Sequence, residues 1–97
     1  MDIELRDNKD KKRFEAKVEG RVAFVDYILN SRGMIYLTHT EVPTELEGGT
    51  VGSAMVGRIL EIVEERELKL VPLCPFVAAY IRRHPEWKRL LADNFSV

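Results

Sequence analysis

From Arg13 to Val42 apolar side chains of this chain follow the period of two expected of strands, and from Val51 onward they recur at every third or fourth residue. Strands present alternate residues to one face and helices present residues three and four apart, so this change of period sets the order of elements. Phe14, Ala16 and Val18 alternate with Arg13, Glu15, Lys17 and Glu19, the pattern of a half-buried strand. Glu19-Gly20 turns the chain. Residues 22–29, rich in β-branched and aromatic side chains, form a second strand that exits through the turn cluster Asn30-Ser31-Arg32-Gly33. Residues 34–41 make a third, with Met34, Tyr36, Thr38 and Thr40 on one face and Ile35, Leu37, His39 and Glu41 on the other, before Val42-Pro43 ends it.

A loop over residues 43–49 leads into the helical period. Val51, Met55, Ile59 and Ile62 form a stripe, widened by Val56, Leu60 and Val63 and opposed by Arg58, Glu61, Glu64 and Glu65. This predicts a helix of about four turns packed on a sheet. The apolar run 68–74 is a strand covered on both faces. Pro75 opens a second helix with Arg82-Arg83 near its end, and His84-Pro85 stops it. Residues 86–91 add a helical turn or two, and 93–97 are a tail. The third strand, long helix and fourth strand are a βαβ unit with parallel strands. The chain is therefore an α+β (α/β) fold, and 97 residues suffice for one domain spanning 1–97.

Composition removes several classes of function. Apolar residues make up 45% and charged residues 32%, as in a globular protein, and no apolar run approaches the ~20 residues of a membrane span. The charged N-terminus points to a cytoplasmic protein without a membrane partner. Fifteen basic against sixteen acidic residues argue against a nucleic-acid partner. Cys74 is the sole cysteine, which excludes an internal disulfide, and no spacing of His, Asp, Glu and Cys suggests a metal. An uncovered edge at residues 14–18 would permit pairing, so the expected state is a monomer or weak dimer.

Two places carry candidate chemistry. Where the long helix starts, unpaired backbone N–H groups and the helix dipole offer an anion site, and Gly48, Gly49 and Gly52 would let a diphosphate approach closely, with Ser53 donating its hydroxyl. A plain turn and cap explains the same glycines. The chain has neither a Gly-Lys-Ser/Thr loop nor a three-glycine dinucleotide fingerprint. Cys74 ends the last strand just before a helix N-terminus, where a thiolate is favoured, although a buried thiol is the commoner fate. Tyr80 follows six residues later on the helix and either reaches the same cleft with its hydroxyl or is simply a half-buried aromatic. His39 and Glu41 share a strand face, either as a base near neutral pH or as cross-strand hydrogen-bonding partners.

The segments Thr38-His39-Thr40-Glu41-Val42-Pro43, Leu46 through Ala54, Val71 through Ile81 and His84-Pro85-Glu86-Trp87 together resemble a compact branch of the GNAT superfamily of N-acetyltransferases. The resemblance runs from Phe14 to about Leu91. It implies a minimal acyl-CoA N-acyltransferase fold: antiparallel strands, a βαβ unit with a splayed parallel pair, and a C-terminal helix, without the helices that larger relatives place between their first strands. It also implies acetyl-CoA as cosubstrate and an amine acceptor the sequence does not identify, a protein or peptide lysine or a small amine. Backbone groups of residues 37–42, Thr40 and Val42 among them, would hold the pantetheine arm. Gly48, Gly49, Thr50, Val51, Gly52 and Ser53 would wrap the pyrophosphate, with Pro75 and Phe76 beside the cofactor. Tyr80 would protonate the leaving thiolate, His39 or Glu41 would take the amine's proton, and Cys74 would serve a two-step alternative. The chain departs from the family's Gln/Arg-x-x-Gly-x-Gly/Ala turn at Glu47 and Thr50, which motivates a second reading as a CoA-binding module without catalysis. A third, a protein-interaction domain, would use an exposed Trp87 with Arg82-Arg83.

Overall fold

The computed structural model describes residues 3–47 and 50–97. Five strands form one sheet in sequence order: β1 (Glu4–Asn8), β2 (Arg13–Val18), β3 (Arg21–Leu29), β4 (Met34–Glu41) and β5 (Lys69–Pro72). The first four are antiparallel; β4 and β5 are parallel and joined through α1 (Val51–Glu65). Helix α2 (Pro75–Arg83) follows β5, and 3₁₀ turns occupy Thr44–Leu46 and Pro85–Leu90. Among the described residues no helix is long and apolar enough to cross a membrane.

Local chemistry accounts for the connections. Glu19 and Gly20 both have positive φ, +52° and +77°, as a two-residue hairpin between right-twisted strands requires. The Asn30 side chain accepts from the Arg32 and Met34 N–H groups, fixing the β3–β4 turn. At the end of α1, Glu67 adopts φ +56° while Glu67 N–H bonds Glu64 O and Leu68 N–H bonds Val63 O, so the last carbonyls are satisfied without a glycine.

Strand β1 has no counterpart in the apolar periodicity, because Leu5 is its one apolar residue. Pairing defines it instead: Leu5 opposes Ala16 and Asp7 opposes Phe14. The edge expected to be open at residues 14–18 is therefore filled. At the opposite side, Leu91 bridges Leu70 and the Ala92 N–H donates to Leu70 O at 2.9 Å, so the chain's last residues line β5. β5 is shorter than the apolar run 68–74: it stops at Pro72, and Cys74 is already the N-cap of α2.

Both helices pack on one face of the sheet. Phe14, Val25, Ile35, Leu37 and Leu70 meet Met55, Val56, Ile59, Leu60 and Val63 of α1 and Val77 and Ile81 of α2 in one buried cluster. At its margin the Tyr27 ring lies 5.0 Å from Phe14, and its hydroxyl donates to Asp7 Oδ1 at 2.6 Å. Arg66, just past α1, donates to the other Asp7 oxygen at 2.8 Å. One carboxylate thus ties β1 to β3 and to the helix.

Burial, reinforced by Asp7, pushes the Tyr27 pKa up to about 12. A phenol whose folded pKa lies above its unfolded value of about 10 stabilises the fold fully below pH 10, and that contribution is lost as pH rises toward 12. Tyr27→Phe is therefore expected to lower stability at neutral pH and to flatten its fall between pH 10 and 12, measured by urea unfolding across that range.

Candidate active site at the β4–β5 splay

The site begins with an irregularity in β4. Asp26 pairs with His39 and Tyr27 pairs with Leu37, which leaves Thr38 without an opposite residue. Its hydroxyl donates to Asp26 O at 3.3 Å. Such a bulge advances the pleat by one residue. Leu37 points into the core, and the next side chain to do so is Thr40, paired with the buried Val25. Strict alternation placed Thr40 with Met34 and Tyr36, and His39 and Glu41 with Leu37; beyond Thr38 the bulge reverses both assignments. His39 and Glu41 do share a face, 3.5 Å apart and exposed, but it is the face away from the helices, beside Phe24 and Asp26.

The parallel pairing of β4 with β5 ends at Leu37–Pro72, with a last tie from the Cys74 N–H to Leu37 O at 2.9 Å. Residues 38–41 continue along β3 alone, so among the described residues no strand fills the β5 side of this segment. This is the expected splay. Buried Cys74 sits at its apex, with its sulfur 2.9 Å from Thr40 Oγ1. Val42 is half-buried against the core, and Pro75 stands at the first turn of α2.

Helix α1 opens at the N-cap Thr50, and its first internal bond runs from the Ala54 N–H to Thr50 O. The N–H groups of Val51, Gly52 and Ser53 precede that ladder, and no acidic residue stands in the first turn. The Val51 side chain is buried, so only its backbone is available to a ligand. Gly52 is buried too, for a packing reason: a β-carbon there would lie 2.7 Å from Cζ of Phe76. Gly48 and Gly49 lie outside the described residues.

Tyr80 sits one helical turn further down. With Ser53, Ala54, Gly57, Arg58, Glu61 and Trp87 it lines a groove of about 520 Å³ over α1, which Ile3 completes. Its ring stacks on His84 at 4.3 Å, and its hydroxyl rests against the backbone of Gly57. The structure therefore groups Tyr80 with Ser53, and Cys74 with Thr40. Trp87 is half-buried beside Tyr80 in this groove, not an exposed docking residue. Burial, with the carboxylates of Glu86 and Glu61, holds the Tyr80 pKa above its ordinary value. Gly57 was missed by periodicity, though a glycine inside a helical stripe is itself a readable signal. Among the described residues no cluster of His, Cys, Asp and Glu could hold a metal.

The sequence of a GCN5-related N-acetyl-transferase family model matches residues 13–90, and the chain belongs to that family. Its fold is similar to the solution NMR structure of a GCN5-like protein from Staphylococcus aureus that is assigned by name to the N-acetyltransferases. The two share 22% identity and a TM-score of 0.70 over 92% of this chain and 87% of that one. Among curated protein sequences none matches.

The Gly52–Phe76 contact can be tested directly. Gly52→Ala should cost about 1–3 kcal/mol, the usual scale of overpacking, less whatever the 37%-exposed Phe76 ring recovers by moving. Gly52→Ala with Phe76→Leu should regain most of that loss in thermal unfolding, because the shorter side chain clears the new methyl.

Proposed function

We propose that this protein moves an acetyl group from acetyl-CoA to a primary amine by direct transfer. The observation that carries the reading is the division of side chains by the Thr38 bulge. Thr40 and Cys74 lie on the helix side of the splay, and His39 and Glu41 on the other. An acyl donor entering from the helix side and an amine arriving from the open face would meet at the gap, with candidate acid and base on opposite sides. In this scheme residues 38–42 lend backbone groups to the pantetheine arm. The N–H groups of Val51, Gly52 and Ser53 receive the pyrophosphate. The amine nitrogen bonds to the acetyl carbon as the carbon–sulfur bond breaks. Tyr80 protonates the sulfur, and His39 or Glu41, through water, takes the proton from nitrogen.

The Glu47 and Thr50 departures favour a second reading, a CoA-binding module without turnover. Glu47 is exposed, however, and a charge in water several ångströms from a phosphate costs about 1 kcal/mol or less, an effect on affinity of roughly fivefold at most. Such a penalty leaves binding intact. Cys74 supports a covalent two-step route less well than direct transfer, because its sulfur is buried and engaged with Thr40.

Calorimetry with acetyl-CoA and desulfo-CoA tests binding, and amide shifts confined to Val51, Gly52, Ser53 and residues 38–42 would place it. Thiol release in the presence of amines tests turnover; binding without release would establish the module instead. Cys74→Ala should retain turnover. Tyr80→Phe should lower kcat by about 10²-fold, and should remove the alkaline fall in rate that a tyrosine acid produces as pH rises through its raised pKa.

A further inference from the structure

Glycine inside a helix costs about 1 kcal/mol relative to alanine, so an interior glycine that packing does not need would be a net loss. Gly57 lies in the second turn of α1, on the half-buried side toward α2. A β-carbon at this position would stand 2.8 Å from the Tyr80 hydroxyl oxygen but 3.7 Å from the ring carbon that bears it. The first distance is a clash and the second is ordinary contact. What Gly57 makes room for is thus the oxygen alone, and a phenylalanine at residue 80 would not need it.

Trp87 lines the same groove beside Tyr80. Its indole nitrogen can only donate, so what it can offer Tyr80 is an N–H to the phenol oxygen, an arrangement that leaves the phenol's own proton uncommitted. His84, stacked at 4.3 Å with an interplanar angle of 33°, restrains the ring plane. The charged groups nearby are Glu61 and Glu86, which disfavour the phenolate, and Arg58, which is paired with Glu61 at 3.6 Å. The arrangement keeps the hydroxyl protonated at neutral pH, the state that a proton donor needs.

We propose that Gly57 and Trp87 are positioning residues for Tyr80: the missing side chain of one and the indole N–H of the other hold the phenol oxygen in place with its O–H free to donate. The proposal rests on the reading of Tyr80 as the acid in acetyl transfer. In the transfer step the Tyr80 O–H bond breaks, the proton passes to the thiolate sulfur released from the acetyl carbon, and solvent reprotonates the phenolate. Neither positioning residue touches the reacting atoms.

The experiment compares the wild type, Gly57→Ala, Trp87→Phe, Tyr80→Phe and the Gly57→Ala/Tyr80→Phe double variant in two ways. The first follows the ring ¹³C resonance of labelled Tyr80 through a pH titration, with no ligand. Gly57→Ala should bring its titration down toward the ordinary tyrosine value of about 10, because the displaced hydroxyl is less buried, and Trp87→Phe should move it up, because a bond favouring the phenolate is gone. The second measures thiol release from acetyl-CoA with spermidine and Nα-acetyl-lysine as amines. Gly57→Ala and Trp87→Phe should each lower kcat by about tenfold with KM for acetyl-CoA within about twofold. In the Tyr80→Phe background Gly57→Ala should leave the residual rate unchanged and raise thermal stability, since only the helix-propensity gain remains. An unchanged Tyr80 titration in Gly57→Ala would overturn the proposal, as would an equal loss of rate from Gly57→Ala with and without the Tyr80 hydroxyl. If Tyr80→Phe turns over like the wild type, or nothing is turned over, the acid reading fails on its own, and the titration still decides whether Gly57 and Trp87 hold the hydroxyl.

Discussion

One extra residue in one strand governs the candidate site. Had β4 kept a regular pleat, Thr40 would face away from the helices and the Cys74 sulfur would lose its hydroxyl partner. The bulge at Thr38 turns Thr40 inward to meet the sulfur and sends His39 and Glu41 outward as a pair. The same stretch is where parallel pairing lapses, so the backbone of residues 38–41 is held on the β3 side and, among the described residues, joined by no strand on the β5 side. A bulge bends and twists its strand, and here that local change gives the gap two chemically different sides.

Beside that gap, the contact between α1 and α2 depends on glycine. Gly52 takes the edge of Phe76 and Gly57, five residues on, takes the Tyr80 hydroxyl. Both positions give up helix propensity so that aromatic side chains of α2 can lie directly on the backbone. Large apolar side chains then fill the space beneath, where Ile59, Leu60, Val77 and Ile81 are fully buried. The Asp7 carboxylate, bound by Tyr27 and Arg66, closes the far end of the same layer.

How much of this could be read from sequence follows from what each element leaves in the residue pattern. The three alternating strands, the α1 stripe, the Pro75 helix start and the parallel β4–β5 pair were legible because burial on one face writes a period into the sequence. Strand β1 was not, since an edge strand with one inward apolar residue writes none. The bulge escaped for a related reason: Thr38, His39 and Thr40 are all polar, so a shift of pleat among them leaves no hydrophobic trace. The candidate site residues were named by resemblance, and which of them lie together needed coordinates. Tyr80 with Gly57 and Trp87, and Cys74 with Thr40, are relations between elements that no spacing along the chain encodes.

The strand order has a consequence for how the chain reaches this state. Spatial order β1-β2-β3-β4-β5 is also chain order, so each of the first three pairings joins neighbours through a short reversal, and contacts of that kind form with little loss of loop entropy. Only the β4–β5 pairing must wait for an intervening helix. The meander is thus a scaffold that can assemble from local contacts, while the splay, the cysteine apex and the tyrosine on its glycine all belong to the one long-range closure. The part of the molecule with the slowest topology is the part that holds the candidate site.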